Sequence, residues 1–203
     1  MAACYSGRVM PAFPLTLFLG RLWLPLCVAQ EISVHTHRDG DALVVEAEVD
    51  LTASRAQAWD VLTDYGRLAE FVPDLITSRV VERQGARVII EQTGKVGFLF
   101  FVYHAFVRLE VDERAPHEIL ARAVKGSFDE MTGRYLLEES DEGVNLRYSG
   151  RFVPAFGVPR LLSNAAMRRA VEKQFGDLAR EIERRAALMR GPIEPAGQGA
   201  AAR

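Results

Sequence analysis

The sequence predicts an α+β fold in which one long C-terminal helix packs on an antiparallel sheet. The first observation is a stripe of apolar residues at helical spacing near the C-terminus. The second is a series of extended segments between residues 31 and 153, which short turn sequences separate, so that neighbours should pair antiparallel. With 203 residues, 49% of them hydrophobic, the chain can build one domain with an ordinary core.

The C-terminal stripe predicts a helix over residues 159–189. Pro159 is tolerated in its first turn, and Gly191-Pro192 provides a stop signal. The apolar positions are Val171, Phe175, Leu178, Ile182, Ala186 and Met189. The positions between them contain many basic residues, which we expect to form a solvated outer face. Attraction of this face to anionic lipid is the alternative. The basic residues are Arg168, Arg169, Lys173, Arg180, Arg184 and Arg185. Residues 191–203 show no periodicity and are predicted to be disordered.

Residues 1–29 differ in composition from the rest of the chain. Arginine precedes each of two short apolar runs and small residues follow, which predicts a secretory signal cleaved after Ala29. An uncleaved anchor and a start at Met10 are the alternatives. Both cysteines, Cys4 and Cys27, lie in this segment, so the mature chain would contain no disulfide. The expected location is the periplasm or the cell envelope.

The next segments predict a hairpin followed by short helices. Asp39-Gly40 joins extended residues 31–38 and 41–51, and the second arm alternates apolar with acidic residues. Ser54 is the predicted N-cap of a short helix. The buried side of that helix is expected to contain Ala58, Trp59, Leu62 and Tyr65. A second short helix or turn, with Leu68, Phe71, Val72 and Leu75 inward, is broken at Pro73.

Six further strands are predicted between residue 76 and residue 153. Their ranges are 76–83, 86–95, 98–113, 117–125, 131–139 and 144–153. The predicted turns are Gln84-Gly85, Val96-Gly97, Ala115-Pro116, 126–130 and 141–143. Because these connections are short, the strands should form an antiparallel meander. The C-terminal helix is the only predicted element long enough to cover one face of that sheet.

The segment DYGRLAEFVPDLITSRVVE resembles the polyketide cyclase and coenzyme-Q-binding group of the START-like (SRPBCC) superfamily. The matching residues are Asp64, Tyr65, Phe71, Pro73 and Ser78, together with Gly133 before Tyr135. The resemblance covers about residues 42–188. It implies a helix-grip fold over residues 31–190, with a curved antiparallel sheet of about seven strands wrapped around the C-terminal helix and two short helices after the first strand.

The resemblance also implies a cavity between the sheet and the long helix, open at one end near the short helices. Such a cavity would bind a hydrophobic small molecule, for example a lipid, a quinone or a polyketide-like compound. The expected lining residues are Phe71, Phe101, Tyr103, Tyr135, Tyr148, Phe152, Met167, Val171 and Phe175. Plain core packing is the alternative for each of them. No cofactor is implied, and the oligomeric state stays open.

The segment Phe98–Val107 is apolar at nearly every position. The alternation that continues into Leu109 and Val111 places one set inside: Phe101, Tyr103, Ala105 and Val107. It places the other set outside: Phe98, Phe100, Val102 and Phe106. This outward row predicts a membrane-facing rim, a dimer contact or a protein-interaction surface. A bulge that reverses the alternation is the competing interpretation.

Side chains suited to catalysis are sparse. His35 and His37 lie on one hairpin arm, but no spacing supplies a third ligand, so no metal site is expected. His104, Tyr103 and Tyr135 are the weak candidates for proton transfer in an alternative cyclase or dehydratase function. Serine-hydrolase and nucleotide-binding motifs are missing, and a net charge of −2 gives no reason to expect nucleic-acid binding. We therefore expect a binding protein rather than an enzyme.

Overall fold

A computed structural model describes residues 32–98, 101–155 and 164–190. Its strands are β1 (Ser33–Asp39), β2 (Ala42–Leu51), β3 (Leu75–Gln84), β4 (Arg87–Phe98), β5 (Phe101–Arg114), β6 (Glu118–Gly126), β7 (Phe128–Ser140) and β8 (Gly143–Pro154). Its helices are α1 (Arg55–Leu62), α2 (Leu68–Phe71) and α3 (Asn164–Arg190), with a 3₁₀ turn, Tyr65–Arg67, between the first two. The predicted signal segment, the C-terminal tail and Pro159 lie outside the described residues.

The predicted fold class is confirmed, with an 8-stranded sheet where about seven strands were expected. The strand order is β1-β2-β8-β7-β6-β5-β4-β3, so the strands from β3 to β8 form the predicted meander. Strands β1 and β3 are the two edges, and register shifts interrupt β3 at Leu75/Thr77 and at Val80/Glu82. Because β2 and β3 are far apart in the sheet, the α1–α2 segment has to cross from one side to the other.

The predicted first hairpin and the predicted Ser54 N-cap of α1 are both present, with the hairpin turn displaced by one residue. Asp39 pairs with Ala42, so the turn residues are Gly40 and Asp41, one position later than predicted. Gly40 has a φ of 61°, a conformation that suits glycine. Ser54 caps α1 in a capping box, in which its backbone N–H donates to the Gln57 side chain at 2.9 Å.

The predicted turn at Val96-Gly97 is wrong. Strand β4 continues through it to Phe98, with Val96 paired to Tyr103 and Gly97 paired to Val102. The glycine does not end the strand because it is flanked by Val96 and Phe98, both of high strand propensity. On β5 the predicted alternation holds from Ala105 onward, because the irregularity in this region falls in the pairing of β5 with β6.

The inner face of the sheet and α3 share the core. Phe175, Leu178, Ile182 and Ala186 are buried as predicted, and Ile182 and Ala186 have 0% exposure. Met189 is not part of this stripe, since its side chain is 67% exposed. The stripe ends at Ala186 because the last turn of α3 extends past the packed surface.

Arg185 does not belong to the solvated face that the helical pattern predicted. Its side chain is 17% exposed, and its Nη1 donates to Asp64 Oδ2 at 2.8 Å. Its Nε donates to Glu181 Oε1 at 2.7 Å, and its guanidinium lies 5.3 Å from the centre of the Phe71 ring. This arginine therefore ties the α1–α2 segment to α3 through the Asp64 and Phe71 positions of the sequence motif.

The buried Glu181 makes the docking of α3 sensitive to acid. Hydrogen bonds from Arg184 and Arg185 lower the pKa of Glu181 from 4.5 to about 2. A depressed carboxyl pKa stabilises the folded state above the unfolded pKa, and this stabilisation is lost as pH falls from 4.5 through about 2. Glu181→Gln should therefore flatten the fall in unfolding free energy across this window, measured by urea denaturation at a series of pH values.

The matched control is Glu172→Gln on the same helix, whose ion pair with Arg168 is 3.4 Å long and exposed. Such a pair contributes little to stability, so this variant should follow the wild-type curve. Equal behaviour of the two variants would contradict the role assigned to Glu181.

Candidate functional site

Packing between the sheet and α3 is uneven along the length of the molecule. At one end Val61, Val88, Leu137 and Ile182 are each at most 2% exposed. Towards the other end, inward-facing side chains such as Phe152 and Val171 keep accessible surface. A cavity of about 250 Å³ occupies this second region. Among the described residues, the packing is therefore tight at one end and looser around the cavity.

Three parts of the chain form the described walls of the cavity. The sheet supplies Val45, Ile90, Leu109, Ile119, Met131 and Phe152. The α1–α2 segment and the residues after it supply Leu62, Tyr65, Leu68, Val72 and Leu75. Helix α3 supplies Val171, Gln174, Phe175 and Leu178. These walls are predominantly apolar, as expected of a site for an apolar ligand.

Two paired glycines on the sheet determine the shape of the cavity floor. Gly133 of β7 lines the cavity and pairs with Gly150 of β8, which is buried beneath Tyr148 and Phe152. A Cβ on Gly150 would lie 2.5 Å from the Tyr148 hydroxyl oxygen and 2.8 Å from Phe152 Cε2. A Cβ on Gly133 would lie 3.1 Å from the same hydroxyl oxygen. The Tyr148 ring therefore lies across the glycines, where larger residues would push it into the cavity.

The tyrosines are the main polar groups of the interior. The Tyr135 and Tyr148 rings are stacked at a tilt, with centroids 4.7 Å apart. Burial raises the pKa of Tyr135 to about 12. Burial also raises the pKa of Tyr148, with the neighbouring Tyr135 adding to the effect. The pKa of Tyr65 is raised by burial and by the adjacent Glu113 carboxylate. All three hydroxyls therefore stay protonated at neutral pH, and those of Tyr135 and Tyr148 are available as hydrogen-bond donors.

Most of the described side chains that the sequence predicted for the lining lie in the cavity wall: Tyr135, Tyr148, Phe152, Val171 and Phe175. Phe71 packs beside the cavity, against the core and under Arg185. Tyr103 shares the parity of the buried Ala105 and Val107 on β5, but it is 39% exposed and lies outside the described lining. The side chains of Phe101 and Met167 lie outside the described residues.

The sequence interpretation missed three polar lining residues, Tyr65, Gln92 and Gln174. Gln92 has the same parity as the buried Val88 and Ile90 on β4, so the alternation of that strand could have identified it. Its amide nitrogen donates to Ser78 Oγ at 3.2 Å, which links it to the serine of the sequence motif.

The proposed catalytic histidine is not at this site. His104 is exposed on β5 and does not line the cavity, and His35 is exposed on β1 beside Ser33. In the described lining we find no carboxylate, imidazole, amine or thiol. Across the described ranges no group of three His, Cys, Asp or Glu residues is placed to hold a metal. The cavity can thus donate hydrogen bonds from hydroxyl and amide groups within apolar walls.

No helix within the described ranges combines the length and the hydropathy required to cross a bilayer.

Comparisons with known proteins agree with this architecture. A family model described as polyketide cyclase / dehydrase and lipid transport matches residues 42–187. No curated protein sequence matches the chain. The STAR-related lipid transfer protein from Xanthomonas axonopodis has a similar structure, with a TM-score of 0.62 and 16% identity over 74% of this chain and 93% of that one.

Two further solved structures share the fold. TTHA0849 from Thermus thermophilus gives a TM-score of 0.60 at 17% identity, over 73% of this chain and 99% of that one. The Zhui aromatase/cyclase from Streptomyces sp. R1128 gives 0.50 at 16% identity, over 82% of this chain and 99% of that one. At such identities the similarity establishes a shared fold.

The close packing around Gly150 predicts that a larger residue at this position destabilises the protein. Gly150→Ala should lower the free energy of unfolding by about 1–3 kcal/mol, because the new methyl group overpacks against Tyr148 and Phe152. Urea denaturation measures the change. The control is Gly66→Ala, where a Cβ meets no atom within 4 Å, and its effect should stay within about 0.5 kcal/mol of wild type. Equal losses in the two variants would rule out a tightly packed floor.

Proposed function

Because this chain belongs to the polyketide cyclase / dehydrase and lipid transport family, we propose that it binds and carries a hydrophobic small molecule in the cavity under α3. The observation that supports carriage is the described lining, in which apolar side chains surround a few protonated tyrosines and neutral amides. Such walls hold a ligand by removing its apolar surface from water, at about 0.8 kcal/mol per buried methylene group.

The size of the cavity limits what enters it. An apolar cavity of about 150 Å³ in another protein binds benzene, so the present one accommodates about ten non-hydrogen atoms. That corresponds to a fused ring pair or a short length of alkyl chain. A longer ligand would extend out of the cavity, with its apolar part inserted first.

The polar groups of the lining favour a neutral ligand. The Tyr135 and Tyr148 hydroxyls can donate to a carbonyl oxygen of the ligand, and the Gln174 amide can donate or accept. An ionised group inserted among these residues would lose its hydration without an opposite charge in the described lining. A quinone, a polyketide-like ring system or the apolar end of a lipid fits these conditions.

A cyclase or dehydratase acting in the same cavity is the alternative. The close Tyr135–Tyr148 pair supports it, because two protonated hydroxyls could polarise a substrate carbonyl. Such reactions also need a base, and the raised pKa of each tyrosine makes it a poor one at neutral pH. We therefore favour carriage over catalysis.

The predicted secretory signal over residues 1–29 supports a place for this carriage in the periplasm or cell envelope. An extracytoplasmic carrier of this kind would keep an apolar molecule out of water between membranes.

The test combines native mass spectrometry of protein purified from its own host with titration of a fluorescent fatty acid. Val171→Arg places a charge at the half-buried wall and should weaken binding of the fatty acid by about tenfold or more. Leu188→Arg is the control, because Leu188 lies on the same helix and is 69% exposed. Equal affinity of the two variants would contradict binding in this cavity.

The tyrosines separate the two functions. In a carrier, Tyr135→Phe and Tyr148→Phe should change affinity for the co-purified molecule only modestly, with the molecule recovered chemically unchanged. In an enzyme, the same variants should retain the molecule but abolish its conversion to product, which mass spectrometry detects. Conversion by wild type that the variants lose would replace carriage with catalysis.

A further inference from the structure

One polar side chain of the cavity wall is held in a fixed orientation by a neighbour on the edge strand β3. Gln92 on β4 lines the cavity and pairs with Ser78 on β3, so both side chains lie on the inner face of the sheet. The Gln92 amide nitrogen donates to Ser78 Oγ at 3.2 Å. Ser78 is only 9% exposed, so this hydrogen bond is partly shielded from solvent. The amide nitrogen is therefore directed towards β3.

The same contact leaves the amide oxygen of Gln92 free. An amide group is planar, with its oxygen and nitrogen on opposite sides, so a nitrogen directed at β3 leaves the oxygen directed away from that edge. On the other side Gln92 pairs with Val107 of β5, whose side chain has no donor. Within the described ranges no donor contacts Gln92 Oε1. Because Gln92 lines the cavity, this oxygen can accept a hydrogen bond from a bound ligand.

The other polar groups of the described wall select less strictly between donors and acceptors. A tyrosine hydroxyl, such as that of Tyr135 or Tyr148, can donate or accept. Gln174 is exposed, and no hydrogen bond from the described residues fixes its amide. The oxygen of an amide held by its nitrogen can only accept. Gln92 therefore distinguishes a hydroxyl group of a ligand from a carbonyl group.

The surroundings of Gln92 fit a neutral donor rather than a cationic one. The described lining contains no carboxylate, so an ammonium group would lose its hydration without an opposite charge. Ile90 on the same strand and Leu109 on β5 are the apolar lining residues nearby. Among such residues a ligand hydroxyl that found no acceptor would lose its hydrogen bonds to water without replacement.

We propose that Gln92 selects a ligand that carries a neutral hydroxyl group on an apolar skeleton. Ser78 is the positioning residue, because it keeps the amide oxygen directed at the ligand. The inference rests on the proposed function, since it gives the chemical class of the molecule that the cavity holds. It favours an alcohol or a phenol over a compound whose polar groups only accept, such as a quinone.

Equilibrium dialysis of the full chain against naphthol and methylnaphthalene, substituted at the same ring position, tests the selection. The two probes have the same number of non-hydrogen atoms, and their fused ring pair suits the cavity volume. The preference for naphthol is the ratio of the two dissociation constants. Gln92→Met should lower this preference by about fivefold or more relative to wild type.

Gln174→Met is the matched control, because it removes an amide from the same cavity at an exposed position where nothing described fixes its orientation. This variant should keep the wild-type preference for naphthol. An equal loss of preference in the two variants would overturn the role assigned to Gln92.

Ser78→Ala tests the positioning role while Gln92 stays in place. Without the serine hydroxyl the amide can rotate and present its NH₂ group to the ligand. Affinity for naphthol should therefore fall, whereas affinity for methoxynaphthalene, whose oxygen can only accept, should rise. A variant that is merely less well packed would bind both probes more weakly. Parallel changes for the two probes would overturn the positioning role.

Failure of this proposal differs from failure of the proposed function. If wild type binds both naphthalene probes and Gln92→Met leaves their ratio unchanged, binding in the cavity stands and hydroxyl selection is wrong. A co-purified molecule that lacks a hydroxyl group would also overturn hydroxyl selection alone. If wild type binds neither these probes nor the fluorescent fatty acid, the proposed function fails and hydroxyl selection fails with it.

Discussion

The packing of α3 on the inner face of the sheet is the contact on which both the stability and the cavity depend. At the level of Ile182 and Ala186 the helix leaves no accessible surface beneath it. Further towards its N-terminal end the same helix passes over the floor formed by Gly133 and Gly150. One helix therefore packs closely on the core at one end and borders the cavity at the other.

Local sequence patterns predicted the architecture because strands, turns and caps are set by near neighbours. The Ser54 cap and the alternation on β8 are examples. The positions of Tyr135, Tyr148 and Phe152 in the cavity wall were instead implied by the family resemblance. The misses involve partners distant in sequence. Arg185 reads as a surface residue until its contact with Asp64, 121 positions earlier, is known. The alternation of β5 likewise cannot tell that β6, and β3 on the far side of β4, stop short of the level of Tyr103.

Charged side chains of the central strands pair on the outer face of the sheet. Arginines pair there with carboxylates, as Arg147 does with Glu48 and Glu138. The described cavity wall instead contains hydroxyl and amide groups. A binding site of this kind discriminates weakly between apolar molecules of similar size, because apolar contact is nondirectional and only a few donors fix orientation.

The interruptions in β3 have a consequence for the behaviour of the protein at high concentration. An uninterrupted edge strand is a template on which another chain can add by backbone hydrogen bonding, which leads to aggregation. In β3 the pairing register shifts twice, and charged Arg79, Glu82 and Arg83 are spaced along the exposed edge. These features oppose polymerisation through this edge even though Ile76, Val80 and Val81 of the same strand are exposed.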